Sequence, residues 1–328
     1  MSSHKTTRLA IKHVKTIPSL PSRAADAHKG TFGMVLVVGG SVGMAGAPAL
    51  VGLSALRSGV GLTTIAAPAP VQPTVAGLCA CAITLPLPAN AAGRINPQQS
   101  LRLLRQRGWL ARESRPSALV VGPGIGLNGD RYGRQLWRLI NAFRNDARVP
   151  AIIDADALNL ARKSTRKSPN AWNQQPHFRT VITPHPGEMA RLHGVTTKDV
   201  QADRIGWAVR TAHMMAGNRF DPDHTPVVVL KGAGTVITDG HRVYVNRTGN
   251  PGMATGGSGD VLAGTIGALI AQGMTVFDAA VLGVHVHGLA GDRAAEVIGQ
   301  IAMIATDIIN CLPVAFEEVV AKGRQSRK

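Results

Sequence analysis

Acidic residues, aromatic rings, cysteines and Gly-Lys dipeptides are all scarce or missing in this 328-residue chain. Asp and Glu number 19 against 36 Lys and Arg, a formal net charge of +17, and aromatics make up 4%. Three cysteines (Cys79, Cys81, Cys311) cannot build a disulfide framework, which points to a reducing interior and hence the cytoplasm. Cys79 and Cys81 are two apart and fit no C-x₂-C metal pair. Without a Gly-Lys dipeptide there is no G-x-x-x-x-G-K-[ST] phosphate loop, so any nucleotide must be held by another scaffold. The charge invites a nucleic-acid-binding reading, yet two Tyr, six Phe and four Trp leave few rings for base stacking, and no nucleic-acid motif is present. Membrane spans are excluded as well. The uncharged stretch 58–93 is interrupted by Pro68, Pro70, Pro73, Pro86 and Pro88, so no helix of about 20 residues fits. A soluble protein is expected.

What is present is a core. Hydrophobic residues make up 45% of the chain, enough for one large α/β domain or two small ones and too many for global disorder. The 37 glycines have no three-residue period, which excludes a collagen-like fibre. The positive charge is local: residues 1–30 carry a net +5, residues 91–180 a net +11, and residues 181–328 balance to zero. The start, Met1–Lys15, is basic, and reads as a plain flexible or docking terminus or as a faint organellar targeting signal.

Short apolar runs alternate with helix-length segments. MVLVVG at Met34–Gly39, Gly61–Ala67, ALVV at Ala118–Val121, AIID at Ala151–Asp154, Thr180–Thr183 and VVVL at Val227–Leu230 read as buried strands. Gly234–Thr238 and Arg242–Asn246, split by Asp239-Gly240, read as a hairpin. Helices are predicted at Ala45–Ser58, Gly129–Phe143, Gly259–Gln272, Phe277–Glu296 and Ala305–Leu312, and 162–179 and 217–225 as surface loops. Such alternation predicts a mostly parallel sheet covered on both faces, with ligands beyond the carboxyl ends of its strands.

The sharpest motif is NPGMATGGSGD at Asn250–Asp260, running into VLAGTIGALIAQ. Gly256, Gly257 and Gly259, with Ser258 between them, expose backbone N–H groups at a helix start, where the dipole suits a phosphate. An acid inside an anion site needs a reason. Either Asp260 only complements the helix N-terminus, or it is a general base that takes a hydroxyl proton while the amides hold a transferring phosphoryl group. Gly264 and Gly267 weaken an isolated helix and imply close packing against a neighbour or ligand.

Lys231-Gly232-Ala233-Gly234-Thr235 follows VVVL, and a lysine there either reaches nucleotide phosphates or is simply solvated. Asp154 and Asp156 close the strand AIID and either bind Mg²⁺ or cap the next helix, one of each being the expectation. TPHPGE at Thr183–Glu188 locks His185 and Glu188 between prolines, as candidates for substrate and Mg²⁺ contacts. Gly124, Gly126 and Gly129 match G-x-G-x-x-G after a strand, but the turn holds Pro123, and the acid ending the next strand, Asp154, is poorly placed for a ribose; the glycines more readily admit a ligand to the backbone. Gly39–Pro48 opens a helix in the same way. His285 and His287 point about 200° apart on a helix, which disfavours zinc.

In this order the motifs HKGTFG, VGGSVGMAGAPAL, SALRSGVGL, VGPGIG, DADALN, TPHPGE, VVLKGAGTVI, NPGMATGGSGD and DIINCLP resemble the ADP/ATP-dependent NAD(P)H-hydrate dehydratases, relatives of the ribokinase-like kinases. The resemblance implies a single-domain ribokinase-like three-layer sandwich over residues 18–315, flanked by a basic segment 1–17 and a basic tail 316–328. It implies a repair enzyme that uses ADP or ATP and Mg²⁺ to phosphorylate the C6 hydroxyl of (S)-hydrated NADH or NADPH, with loss of phosphate restoring the double bond. By that similarity Asp260 is the base, Gly256–Gly259 the anion cradle, and Lys231–Thr235 with Gly259 the nucleotide contact. Ala47, Gly124 or Gly126, His185 and Asp260 then contact the hydrated dinucleotide, and Glu188 places Mg²⁺ with Asp154 and Asp156 nearby. Ser258 stands where Thr is common in the family. The epimerase domain often fused in this family has no room here, so that activity is expected on a separate chain, and subunit association is expected too. The form with TPHPGE and no such domain looks like the bacterial, ADP-using type.

Two other readings compete. A ribokinase-like small-molecule kinase for a vitamin-precursor alcohol shares Asp260 and the anion hole but releases a stable phosphorylated product. A nucleic-acid-binding protein exploits the arginine excess and predicts binding that persists at high salt.

Overall fold

The computed structural model describes residues 11–111, 113, 115–126, 129–165, 179–217 and 225–325. Its strands are β1 (Lys12–His13), β2 (Met34–Val38), β3 (Leu62–Pro68), β4 (Ile83–Leu87), β5 (Ala118–Val121), β6 (Ala151–Ile153), β7 (Thr180–Ile182), β8 (Val227–Leu230), β9 (Val236–Thr238) and β10 (Arg242–Val245). They form one ten-stranded sheet in the order β1-β10-β9-β8-β7-β6-β5-β2-β3-β4. From β8 to β4 every neighbouring pair is parallel, whereas β8, β9 and β10 run antiparallel. Strands β2, β5, β6 and β8 are apolar throughout because both their faces are covered.

Among the described residues, eleven helices pack on the two faces: α1 (Gly46–Arg57), α2 (Gln72–Leu78), α3 (Pro97–Gln106), α4 (Gly129–Asn141), α5 (Asp156–Thr165), α6 (Pro186–His193), α7 (Thr197–Ala202), α8 (Arg204–Ala216), α9 (Ser258–Ala271), α10 (Val276–Ile298) and α11 (Ala305–Gln325). One core layer joins α1, α2, α9, α10 and α11 to the sheet, with Val37, Val120, Ile152, Ile266 and Leu282 among its buried members. The other joins α3 to α8, with Leu36, Leu119, Leu136, Ile153 and Met189. The three-layer α/β sandwich expected from the alternating pattern is the architecture found.

α9 is buried on nearly every side, which its two interior glycines make possible. A Cβ on Gly264 collides with Ser54 Oγ and the Val51 carbonyl of α1, and one on Gly267 lies 2.8 Å from Val120 of β5. The packing reason anticipated for both is therefore met by protein rather than by ligand.

Segments near both ends of the chain differ from the sequence expectation. α11 runs on through Pro313 to Gln325, so most of the anticipated tail at 316–328 is helical. Arg293 Nη2 of α10 donates to Glu318 Oε2 at 2.9 Å and ties down that extension. Within the N-terminal segment, β1 pairs with β10 and extends the sheet. The loops expected at 162–179 and 217–225 lie largely outside the described residues, as do residues 1–10. Among the described residues, no helix is long and apolar enough to cross a membrane.

Candidate active site

The loops after β2, β5, β6, β7 and β8 converge at the carboxyl edge of the sheet, and the N-terminus of α9 faces them. Gly257 is the N-cap of α9 with φ +90°, and an added Cβ would sit 2.6 Å from Leu50 and 3.0 Å from Ala305. Only glycine satisfies both the left-handed backbone and the close approach of α1 and α11. Gly257 has no side chain to cap the helix. Ser258 N–H donates to the Thr255 carbonyl at 3.4 Å, but no side chain caps the first turn, which leaves the Gly259 and Asp260 amides for an anion.

Lys231, leaving β8, extends over this helix start. Its Nζ lies 3.3 Å from the point a Cβ on Gly259 would occupy, donates to Asp154 Oδ1 at 2.9 Å, and stands 3.9 Å from Glu188 Oε2. Burial works to lower the lysine pKa, but Asp154 and Glu188 outweigh it and hold the ammonium charged. Asp154 is itself fixed: Thr183 Oγ1 donates to its Oδ1 at 2.7 Å. Asp260 follows in the first turn of α9. Desolvation, then the nearby Asp154 charge, raise its carboxyl to about 7, with Lys231 pulling the other way. A carboxylate poised near neutrality beside an ammonium and free helix amides can accept a proton while the cations and amides hold a phosphoryl group.

His185 caps α6. Its Nδ1 accepts from the N–H groups of Gly187 (3.0 Å) and Glu188 (3.3 Å), while Glu188 Oε2 accepts from the His185 N–H at 2.8 Å. This is a capping box in which histidine replaces the usual hydroxyl residue. Burial, then Lys231 and Arg191, lower the His185 pKa and favour the neutral ring. With Nδ1 used as acceptor, the proton resides on Nε2 of the half-exposed ring, which stands 3.6 Å from Glu188 Oε1. Burial raises Glu188 to about 6 against the pull of Lys231.

On the β2–β5 side, a Cβ on Gly124 would meet Ala47 at 3.2 Å and the Met44 carbonyl at 2.8 Å, and Ser41 Oγ donates to the Gly124 carbonyl at 2.8 Å. Asp156 Oδ2 accepts from the Gly126 N–H at 2.9 Å. The structure thus gathers Lys231, Asp154, Glu188, Gly259 and Asp260 in one place and Ala47, Gly124, Gly126 and Asp156 in an adjoining one. The Asp154 backbone bridges them, its carbonyl packing against Gly122. Asp156 serves the glycine turn. Among the described residues no group of three His, Cys, Asp or Glu side chains stands ready to hold a metal ion.

Several supporting residues carry no sequence signature. Arg204 Nη2 donates to the carbonyls of Leu230 (3.0 Å), Lys231 (3.2 Å) and Gly234 (3.4 Å), shaping the Lys231–Thr235 loop. Asp292 of α10 accepts from the Gly249 N–H (2.9 Å) and Asn250 Nδ2 (3.0 Å), anchoring the loop before α9. His287 is buried, its pKa pushed down to about 4 by desolvation, with Nε2 3.4 Å from Ser258 Oγ. None of these could be read from local spacing, since each partner is far away in sequence.

Comparison with known proteins follows the same lines. The family model described as NAD(P)H-hydrate dehydratase matches residues 35–314. The bifunctional NAD(P)H-hydrate repair enzyme Nnr of Moorella thermoacetica is 41% identical over 313 residues, covering 93% of this chain and 54% of that protein. The chain therefore spans about half the length of the bifunctional enzymes it matches. The ADP-dependent (S)-NAD(P)H-hydrate dehydratase of Neisseria meningitidis is 38% identical over 304 residues, covering 92% of this chain and 88% of that one. The crystal structure of the ADP/ATP-dependent NAD(P)H-hydrate dehydratase from Bacillus subtilis, co-crystallised with ATP/Mg²⁺, superposes with a TM-score of 0.72 at 27% identity, covering 92% and 94% of the two chains. Matched over most of its length and at these identities, the chain belongs to the NAD(P)H-hydrate dehydratase family.

Proposed function

We propose that this protein is a nucleotide-dependent (S)-NAD(P)H-hydrate dehydratase, with ADP or ATP as phosphoryl donor. The observation that carries the reading is Asp260 in the first turn of α9, raised to about 7, beside Lys231 and uncapped helix amides. Those groups suit transfer of a phosphoryl group to a hydroxyl. Both relatives carry nucleotide dependence in their names, ADP-dependent for the Neisseria dehydratase and ADP/ATP-dependent for the Bacillus one.

The donor set fits Mg²⁺ brought in on a nucleotide better than a resident ion. Asp154 is paired with Lys231, Asp156 with Gly126 N–H, and one oxygen of Glu188 with His185 N–H. Glu188, with Asp154, would be the residues that hold such an ion. Mg²⁺ bound there neutralises charge on the transferred group.

The chain's own residues then act as follows. Lys231 and the loop to Thr235, shaped by Arg204, bind the donor phosphates, and Gly256–Gly259 present the helix amides to the transferring group. His185, through Nε2–H, and the Ala47–Gly124–Gly126 surface orient the hydrated dinucleotide. Asp260 accepts the proton of the C6 hydroxyl as its oxygen attacks the terminal phosphorus and the donor's bridging oxygen departs. The original C6–O bond breaks next, its electron pair leaving with the phosphate, and loss of the C5 proton to solvent re-forms the C5=C6 double bond of NAD(P)H. The remaining nucleotide, AMP or ADP, is one phosphoryl group shorter than its donor. An NAD(P)H-hydrate epimerase is the partner activity that feeds the S epimer.

The test is to supply hydrated NADH or NADPH, Mg²⁺ and each nucleotide, and to follow reappearance of dihydronicotinamide absorbance together with phosphate release. Equal amounts of both products are expected. A phosphorylated product that accumulates without restored absorbance assigns the chain to the kinase alternative.

A further inference from the structure

In the glycine turn after β5, two of the amides that could face a dinucleotide phosphate are already engaged. Gly126 N–H is taken by Asp156 Oδ2 at 2.9 Å, and Ile125 N–H by the Gly122 carbonyl at 3.3 Å. A cation lies against that turn instead. Arg94, on the loop between β4 and α3, packs its Nε 2.9 Å from where a Cβ on Gly126 would be, with Met44 Cε beside it at 3.5 Å. Its backbone is fixed by an antiparallel bridge to Ser41 and by Asn90 Oδ1, which accepts from the Arg94 N–H at 3.1 Å. Ser41 in turn holds the Gly124 carbonyl. The arginine is therefore clamped to the same three loops that form the Ala47–Gly124–Gly126 surface.

Its guanidinium is half-buried, yet among the described residues no hydrogen bond or ion pair engages it. Tyr132 of α4 is 7% exposed, and its hydroxyl has no hydrogen-bond partner among the described residues. It lies within the field of both Arg94 and Asp156. A half-buried arginine and a buried phenol left without partners in one place are costly in the absence of an acceptor ligand. Asp156, with one oxygen committed to Gly126, offsets part of the positive charge without pairing with the guanidinium. The guanidinium fork matches phosphate oxygens in a way a backbone turn cannot.

We propose that Arg94, assisted by the Tyr132 hydroxyl, is the anion subsite for a phosphate group of the dinucleotide substrate. The inference rests on the dehydratase reading above. The group held is either the pyrophosphate common to both hydrates or the 2′-phosphate of the NADPH form.

The full-length protein and its Arg94→Gln, Arg94→Lys and Tyr132→Phe variants are assayed with hydrated NADH and hydrated NADPH at saturating nucleotide. Arg94→Gln is expected to raise KM about 10- to 100-fold, the scale of a lost charged hydrogen bond, and to leave kcat within about threefold. Arg94→Lys should fall between it and the wild type, because charge remains but the fork does not. Tyr132→Phe should raise KM severalfold, roughly the effect of one neutral hydrogen bond. The wild-type dependence of kcat/KM on ionic strength should flatten in Arg94→Gln, a readout that a merely structural role would not move. Loss toward both hydrates identifies the pyrophosphate; loss toward the NADPH hydrate alone identifies the 2′-phosphate. Unchanged KM for both hydrates in Arg94→Gln, or an undiminished salt response, overturns the proposal. If Arg94→Gln does not fold, an unchanged KM in Arg94→Lys together with Tyr132→Phe overturns it. A wild type inactive toward both hydrates sinks the dehydratase reading itself, a distinct outcome.

Discussion

Asp260 and Lys231 set each other's chemistry. Removal from water and the Asp154 charge hold the Asp260 carboxyl up to about 7, while the Lys231 ammonium limits how far it rises. A general base works only when ionised, so a raised carboxyl pKa places the loss of activity on the acid side. kcat/KM should therefore climb with pH through about 7 and then level, as a pH–rate profile will record. Asp260→Asn should remove that limb and lower kcat by about 10²- to 10⁴-fold, with nucleotide and substrate affinities little changed in a direct titration. Arg204→Ala should act differently, raising the nucleotide KM with a smaller effect on kcat, because it shapes the loop without touching the hydroxyl. The sequence made Asp260 legible since an acid within a glycine-rich anion cradle is chemically odd. It did not reveal Arg204, Arg94 or Asp292, whose partners are brought to them only by tertiary packing.

At the scale of elements, α9 carries the argument. A helix that presents free N–H groups to a ligand must be held rigidly, and α9 is held by burial against α1, β5 and α10 with hardly any polar side chains. Gly264→Ala should destabilise the protein by about 1–3 kcal/mol, read as a lower denaturant midpoint, because the Val51 carbonyl and Ser54 leave no room for the methyl group. The strands β2, β5, β6 and β8 and the hairpin β9–β10 were legible because fully apolar or turn-marked runs have few alternatives. β4 was not: its sequence ITLPL contains a proline, tolerated here because the strand forms the sheet edge. The expectation that α11 stops near Leu312 failed for a related reason. Pro313 argues locally for an end, but packing on α10 and the Arg293–Glu318 pair carry the helix onward. The capping role of His185 was hidden too, since histidine is an uncommon cap.

For the whole molecule, the net charge of +17 is unevenly placed. Residues 181–328, which supply Lys231, Glu188 and Asp260, are neutral overall, whereas residues 91–180, which include α3 and α4, carry a net +11. There Arg131, Arg134 and Arg138 line an open cleft of about 510 Å³. The proposed chemistry uses a few placed charges, and we propose that the bulk charge steers an anionic substrate at longer range. kcat/KM should therefore fall as ionic strength rises while kcat stays flat. The central claim is tested most directly by giving the wild-type protein Mg²⁺, ADP or ATP, and (S)-hydrated NADH, and measuring restored NADH against phosphate released. The account predicts equal yields of the two, dependent on nucleotide and abolished in Asp260→Asn. No restored NADH with either nucleotide contradicts it.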